Sequence, residues 1–534
     1  MKRRDFLGAT VSTGLAATIQ TPPPGPISLP AMAAQSFELN EITVPSLQAA
    51  MQSGQYTARR VTELYLARIE SVDRQGPKLN SVIEVNPDAM AIAESLDAER
   101  KGGRIRGPLH GVPILIKDNI DTGDRMQTTA GSLALAGSIA PRDAAIVERL
   151  RAAGAVLLGK TNLSEWANFR SSHSSSGWSG RGGQTHNPYV LDRSPCGSSA
   201  GSGAAGAANL ATITIGTETD GSIVCPSSIS GLVGIKPTVG LWSRSGIIPI
   251  SHSQDTAGPM CRSVTDAALL LGPLTGVDPR DPATAASRGN SQNDYARFLD
   301  PAALKGARIG VTRKFMGISD KTERVYHAAL QALKDAGAIL IDPLDLPDPG
   351  PMGRAEWEVL AFEFKAGIEA YLATLGNRVP HRTLTDLIAF NRANASREMP
   401  YFAQETFELA NAKGPLTSPK YRSLLATCRR LSRTQGLDPS FAKHRLDAII
   451  GVTAGPAWPI DLVNGDRFTG GSSGYPAVAG YPSITVPAGD VEGLPVGLLL
   501  TGKPWTEGRL IQLAYGFEQA TKARKPPEFR PTVA

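Results

Sequence analysis

Ser198 and Ser222 each lie inside a cluster of small residues. The first cluster is Ser194-Pro195-Cys196-Gly197-Ser198-Ser199-Ala200-Gly201-Ser202-Gly203, and the second is Gly216-Thr217-Glu218-Thr219-Asp220-Gly221-Ser222-Ile223. Glycine lets backbone N–H groups come close to a ligand, and serine supplies hydroxyls. That combination suits a serine nucleophile beside a set of amides that bind an oxyanion. Between the clusters, Ala211-Thr212-Ile213-Thr214-Ile215 predicts a short strand. Upstream, Val112-Pro113-Ile114-Leu115-Ile116 predicts a buried strand with Lys117-Asp118-Asn119 at its end. A lysine there can extend its ammonium to water. Buried, it is pushed toward the neutral form and becomes a base.

Two other motifs overlap the first cluster. Gly197-Ser198-Ser199-Ala200-Gly201 satisfies G-x-S-x-G, which would make Ser199 the nucleophile. That elbow needs a buried strand directly before it, and the preceding Asp192-Arg193-Ser194-Pro195 is polar and broken by proline. Gly201-Ser202-Gly203-Ala204-Ala205-Gly206 matches the dinucleotide pattern G-x-G-x-x-G, with Glu218 and Asp220 near the distance of a ribose ligand. It lacks the same strand, so no dinucleotide is expected. Ser199 is expected to make structural hydrogen bonds.

Taken in order, Gly-Val-Pro-Ile-Leu-Ile-Lys-Asp ending at Asp118, Cys-Gly-Ser-Ser-Ala-Gly-Ser from Cys196 and Gly-Thr-Glu-Thr-Asp-Gly-Ser-Ile from Gly216 resemble the amidase signature family. The resemblance runs from about Phe37 to the C-terminus, through Gly159-Lys160-Thr161-Asn162, Gly234-Ile235-Lys236-Pro237-Thr238 and Gly493-Leu494-Pro495-Val496-Gly497. Glu165-Trp166-Ala167-Asn168-Phe169-Arg170, Ser176-Gly177-Trp178-Ser179 and Ser253-Gln254-Asp255-Thr256 look like the branch that acts on peptide carboxamides. The likeness implies a large α/β domain, a twisted mixed sheet covered by helices on both faces. It also implies hydrolysis of the C-terminal amide of a small peptide without a cofactor. A broad aliphatic or aryl amidase and the glutaminase-type subunit of a tRNA-dependent amidotransferase are the alternatives within the family.

By resemblance Ser222 is the nucleophile, Ser198 the bridging serine and Lys117 the base. A cis peptide bond joins Gly197 to Ser198 in this pattern, and the amides of Thr219, Asp220, Gly221 and Ser222 form the oxyanion hole. The chain departs from the commonest pattern at Glu218, where aspartate is usual, at Asp220, where glycine is usual, and at Val224-Cys225, where an arginine often follows Ser-Ile. The Lys–Ser–Ser set is intact. Asn168 is the candidate substrate contact, offering its side-chain amide to a peptide backbone, within a segment Trp166 to Trp178 expected to line the cleft.

Composition bounds the other classes. The 534 residues are 41% hydrophobic, enough for a packed core. The 55 glycines and 40 prolines sit between apolar segments and imply tight loops. A net charge of +6 is modest for this length, and basic pairs such as Arg59-Arg60 and Arg429-Arg430 are scattered, so no nucleic-acid partner is expected. Met1-Lys2-Arg3-Arg4-Asp5-Phe6-Leu7 resembles a twin-arginine export signal, and Ala31-Met32-Ala33 offers a small-residue cleavage site. Residues 1–33 are therefore expected to be removed, leaving a single domain over 34–534 and a periplasmic or secreted enzyme without a membrane anchor. Four cysteines are too few for a disulfide scaffold, and Cys196 and Cys225 either pack as small buried groups or pair after export. The seven histidines show no zinc-ligand spacing, and no metal is expected.

The periodicity predicts helices from Ala58 to Asp73 capped by Thr57, after Asn86-Pro87 as far as Gly102, and from an Asp143 cap to Ala153, then a strand over Ala155–Leu158. Residues 171–188 read as an ordered loop near the site, and Gly276 to Asp294 as a surface linker. The second half predicts strands over 308–311, 338–341, 446–450 and 496–500, with a helix over 321–336. Helices over 353–374, 384–392, 400–412 and 418–434 make up a helical excursion, about 350–445, over the sheet.

Overall fold

The computed structural model describes residues 37–313 and 319–533. The export-signal reading of residues 1–33 lies outside them. The chain divides into two units, Met1–Glu38 and Leu39–Ala534, and the strands of the described residues all lie in the second. These are β1 (Val82–Val85), β2 (Pro113–Lys117), β3 (Val156–Thr161), β4 (Trp178–Ser179), β5 (Gly183–Gln184), β6 (Ile213–Glu218), β7 (Val233–Lys236), β8 (Thr256–Cys261), β9 (Arg308–Val311), β10 (Ile339–Ile341), β11 (Ala448–Val452), β12 (Ser483–Val491) and β13 (Leu494–Thr501). Eleven of them form one sheet in the order β1-β3-β2-β6-β8-β7-β12-β13-β11-β9-β10, with β4 and β5 as a separate hairpin. Pairing is parallel for β3/β2, β2/β6, β11/β9 and β9/β10 and antiparallel elsewhere, so the sheet is mixed. Every residue of β2, β3, β6, β8, β11 and β13 is buried, which requires cover on both faces of the sheet.

The parallel run β3-β2-β6 positions the chemistry. Ile114 pairs with Ile213 and Ile116 with Ile215, so Lys117 at the end of β2 lies level with Gly216, two residues before β6 ends at Glu218. Ligands in parallel sheets bind beyond the carboxyl ends of strands. The helix Ala200–Ala207, AGSGAAGA, is buried at every position and contacts β2, β3, β6 and β8. With no side chain larger than serine, its backbone packs directly against the sheet.

Several sequence expectations are corrected. Asp143 does not cap the following helix. Ala144 holds the N-cap of Ala145–Ala152 without a side-chain bond, while Asp143 accepts from Gly123 N–H at 2.7 Å and from Arg151. The helix from Ala58 ends at Arg68 and continues as a π-turn over Ile69–Arg74. The helix expected from 400 starts at Glu405, and that expected over 418–434 is Pro419–Arg429 followed by a π-turn, Arg430–Leu437. Gly276 to Asp294 is not a surface linker, because Asp278, Asp281, Thr284 and Ser287 are buried. Asp281 accepts from the backbone, Nε and Nη2 of Arg244. The excursion begins with the long helix Gly350–Leu375. That helix packs Leu360, Phe364 and Ile368 with Trp166, Phe169 and Ile250 in one apolar cluster, which brings the excursion to the catalytic edge of the sheet.

Candidate active site

Lys117 is fully buried, with Nζ 2.7 Å from Ser198 Oγ, 3.1 Å from Ser199 Oγ and 2.9 Å from Thr217 Oγ1. Burial pulls its pKa from 10.5 to about 7, against the opposing pull of the Asp255 and Glu218 carboxylates. A neutral amine has two N–H donors and one lone pair. Ser199 Oγ donates to Thr217 O at 3.0 Å and accepts from Thr217 N–H, so toward lysine it serves as an acceptor. Thr217 Oγ1 accepts from Asn119 Nδ2 at 3.0 Å and from Lys117. Nζ also lies 3.3 Å from Thr217 O, so four oxygens surround the amine and Ser198 Oγ is the nearest of them. This gives Ser199 the structural role expected of it. Thr217 and Asn119 were not singled out from the sequence, since nothing in their spacing shows that they converge on Lys117.

The Gly197–Ser198 peptide bond is cis. A Cβ on Gly197 would stand 2.2 Å from Ser164 Oγ, so any larger residue would displace that hydroxyl. Ser222 lies on the turn between β6 and the helix Val224–Ile229. Its carbonyl accepts Ser199 N–H at 3.2 Å, tying the two serine segments together. Ser222 Oγ is half-buried and has no hydrogen-bond partner among the described residues, which leaves it free to meet a substrate.

Glu218 shapes that turn from below. Its Oε2 accepts Ile223 N–H at 2.8 Å and Val224 N–H at 3.0 Å. The N–H groups of Thr219, Asp220, Gly221 and Ser222 find no intramolecular acceptor among the described residues. Gly221 has φ +78°, a left-handed conformation natural to glycine, which turns successive amides toward one side. Asp220 stands exposed on the same turn. Thr219 is anchored through Oγ1, which donates to Asp255 Oδ1 at 2.6 Å, and Asp255 in turn accepts from Ile250 and Ser251 N–H. Burial raises the Asp255 carboxyl to about 6. From sequence Asp255 was only one letter of a motif, and its anchoring of Thr219 appears in the tertiary contacts alone.

A cavity of about 270 Å³ opens beside Thr217–Thr219, walled by Asn119, Ala167, Ile250, Gly367 and Tyr371 among others. Asn119 Oδ1 is buried without a partner. Asn168 lies beside Gly197, whose added Cβ would meet its Nδ2 at 3.1 Å. Nδ2 donates to Ser176 Oγ at 3.3 Å, while Oδ1 has no partner. Asn168 therefore ties down the loop through Nδ2, and its Oδ1 is buried without a hydrogen-bond partner among the described residues.

Of the rest of its segment Ala167 walls that cavity, but the large side chains do not. Trp166 and Phe169 are in the core, and Arg170 pairs with Glu165 at 2.7 Å and stacks 4.2 Å from the Phe402 ring centroid. Desolvation made those large groups core rather than contact. The loop 171–188 is ordered as expected, with Ser175, Ser176 and Trp178 buried. Cys196 and Cys225, left open by the sequence, are joined in a disulfide. Among the described residues no group of three or more His, Cys, Asp or Glu side chains could hold a metal, and no helix is long and apolar enough to cross a membrane.

Comparison with known proteins agrees with this geometry. The Amidase family model matches residues 60–511. The native peptide amidase of Stenotrophomonas maltophilia has a similar structure, with TM-score 0.89 and 52% identity over 92% of this chain and 99% of that one. A probable amidase of Arabidopsis thaliana is 43% identical over 92% of this chain and 93% of its own length. A glutamyl-tRNA(Gln) amidotransferase subunit of Halorhodospira halophila is 35% identical over 91% of this chain and 99% of its own. The chain thus belongs to the amidase signature family, and it is a hydrolase acting on amides.

Proposed function

We propose that this amidase releases ammonia from the C-terminal carboxamide of small peptides by a Ser222–Ser198–Lys117 relay. The observation that carries the reading is a fully buried lysine, its pKa lowered by burial to about 7, with its amine 2.7 Å from Ser198 Oγ. Ser222 Oγ attacks the amide carbon, its proton passes to Ser198, and the Ser198 proton passes to Lys117. The oxyanion is met by the amides of Thr219 to Ser222. Lys117 gives its proton back to Ser198 as Ser198 passes one to the nitrogen, the C–N bond breaks, and ammonia leaves with an ester remaining on Ser222. Water attacks the ester by the same route and frees the peptide acid. No step calls for a cofactor. The likeness to a peptide amidase and the cavity beside Thr219, large enough for a side chain, support a peptide as the acyl part.

Incubation with a peptide amide, the matching peptide acid, glutamine and a simple aryl amide, with ammonia and product masses assayed, tests the substrate. Only the peptide amide should turn over efficiently. Equal rates on the aryl amide would mark a broad amidase, and preference for glutamine would mark the amidotransferase type. Export to an oxidising compartment is part of the reading, supported by the Cys196–Cys225 disulfide and the twin-arginine pattern.

The relay sets the pH dependence. Lys117 must be neutral to accept a proton, and its folded pKa is about 7, so kcat/KM rises with pH through about 7 and levels above it. A rate that stays flat down to pH 5 would exclude a lysine base.

Asn168→Ala tests peptide recognition. A site that hydrogen-bonds a peptide backbone penalises substrates that lack those groups, because its own polar atoms are left unpaired. The variant is expected to lose about tenfold in kcat/KM on peptide amides, the size of one buried hydrogen bond, and much less on a small aryl amide. Equal losses on both, at unchanged stability, would leave Asn168 a loop tether only.

A further inference from the structure

Two segments must be held in register for the relay to work, and they come from opposite sides of β6. Ser198 belongs to the segment before the helix Ala200–Ala207, and Ser222 to the turn after β6. One direct backbone hydrogen bond, Ser199 N–H to Ser222 O at 3.2 Å, joins them. Ser199 Oγ also bonds to Thr217 O and N–H at the end of β6. A covalent tie stands beside these. Cys196, two residues before Ser198, is bonded to Cys225, three residues after Ser222, with Cα atoms 6.3 Å apart. Both cysteines are buried, at 5% and 6% exposure, in an apolar cluster with Ile223, Met260 and Trp458.

The bond holds a backbone that has reason to relax. Cys196 has φ +56°, in the left-handed region that a side-chain-bearing residue enters only when its surroundings enforce it. Its own N–H reaches only Ser194 Oγ, at 3.1 Å and within the same segment. On the other side, Cys225 N–H bonds to Gly221 O at 2.8 Å, which couples the cysteine to the Ser222 turn. Ser222 Oγ has no hydrogen bond of its own among the described residues, so the backbone on either side places it.

We propose that the Cys196–Cys225 disulfide is a positioning element of the catalytic site, setting the distance between Ser198 Oγ and Ser222 Oγ. It rests on the Ser222–Ser198–Lys117 reading and adds a residue pair that touches neither substrate nor the reacting atoms. Breaking it costs proton transfer between the serines rather than substrate binding. A dithiol reductant therefore inactivates the folded enzyme: two electrons and two protons pass from dithiothreitol to the disulfide, giving two cysteine thiols and the cyclic disulfide of the reagent. Reoxidation restores the activity.

The test compares the wild type with a Cys196→Ala/Cys225→Ala double variant. Steady-state kinetics on a peptide amide are read together with the rate at which a fluorophosphonate labels Ser222, followed by peptide mass. A displacement of about 1 Å in reacting groups is worth about a hundredfold, so kcat is expected to fall ten- to a hundredfold with KM changed less than about twofold, and the labelling rate to fall in parallel. Wild-type protein reduced under native conditions until four thiols titrate, in place of the two of Cys261 and Cys428, covers the case of a variant that does not fold. It should show the same loss, and the double variant should ignore the reductant. Wild-type kcat in the double variant or in the four-thiol enzyme would overturn the proposal. So would a loss that disappears when activity is expressed per mole of labelled Ser222, because the disulfide would then serve folding alone. An active wild type that is not labelled at Ser222 would instead overturn the relay reading itself.

Discussion

A Ser222→Ala variant is expected to fold and to lose about 10⁴-fold or more in kcat, the scale seen when a nucleophile is removed and only binding and oxyanion stabilisation remain. Ser222 Oγ makes no hydrogen bond among the described residues, so its removal leaves no buried partner unpaired and stability should change little. Ser198→Ala should come close to the same loss, because Lys117 lies 2.7 Å from that hydroxyl and has no other route to Ser222. Ser199→Ala should be milder. Its hydroxyl orients Lys117 from 3.1 Å and bridges to Thr217, without moving a proton to substrate. Burst kinetics and mass detection of the acyl-enzyme separate the three. A larger loss at Ser199 than at Ser198 would revive the strand–turn–helix elbow, and full activity in Ser222→Ala would end the relay.

Lys117→Met is expected to be as inactive as Ser222→Ala, yet no less stable than the wild type. Holding a lysine neutral at a pKa of about 7 instead of 10.5 costs the folded state about 5 kcal/mol, since each pKa unit is worth about 1.4 kcal/mol. Methionine of similar length removes that cost. Part of the gain is offset because Ser198 and Thr217 lose a hydrogen-bond partner, at about 1–3 kcal/mol for each group left unpaired. The sign with pH follows from proton binding. Between about 7 and 10.5 the unfolded chain holds a proton on Lys117 that the folded one lacks, so the wild type gains stability as pH rises through that window. The advantage of the variant is therefore full below about 7 and shrinks toward 10.5. Thermal melts of both proteins across that range check this. A variant markedly less stable than the wild type at pH 7 would mean that Lys117 is not held neutral.

The expectations that held and those that failed divide along physical lines. Local pattern was enough wherever an element carried its own signal. Val112–Ile116 is a run of buried apolar residues and forms β2. Thr57 accepts from Arg60 N–H and starts its helix as a capping residue should. The helices of the second half were legible from their periodicity, because one face of each is packed and the other is wet. Strands β1, β7, β8 and β12 were not singled out. Val82–Val85 and Val233–Lys236 are four residues each, and Thr256–Cys261 and Ser483–Val491 carry prolines, glycines and hydroxyls that read as loop until neighbouring strands bury them. Asp143 had the type of a cap, but Arg151 and Gly123 claimed its carboxylate.

Within the site, sequence by itself determined the inventory. It supplied a lysine at a strand end, two serines in glycine-rich turns and an amide side chain in a loop between them, and the order of their motifs carried the family. Only the tertiary structure decided what each group does. In the proposed relay Lys117 serves as the base because every side of it is buried, a property of β2 lying between β3 and β6 and not of its neighbours in the chain. Thr217, Asn119 and Asp255 gain their roles by converging from three strand ends that lie far apart in the chain. Arg170 and the two tryptophans of its segment lost theirs, since burying them against the excursion stabilises the core more than exposing them in a cleft. The pairing of Cys196 with Cys225 was undecidable from spacing alone. It depends on the distance between the loop of Cys196 and the helix of Cys225, which is set by the β6 strand and the helix packed on it.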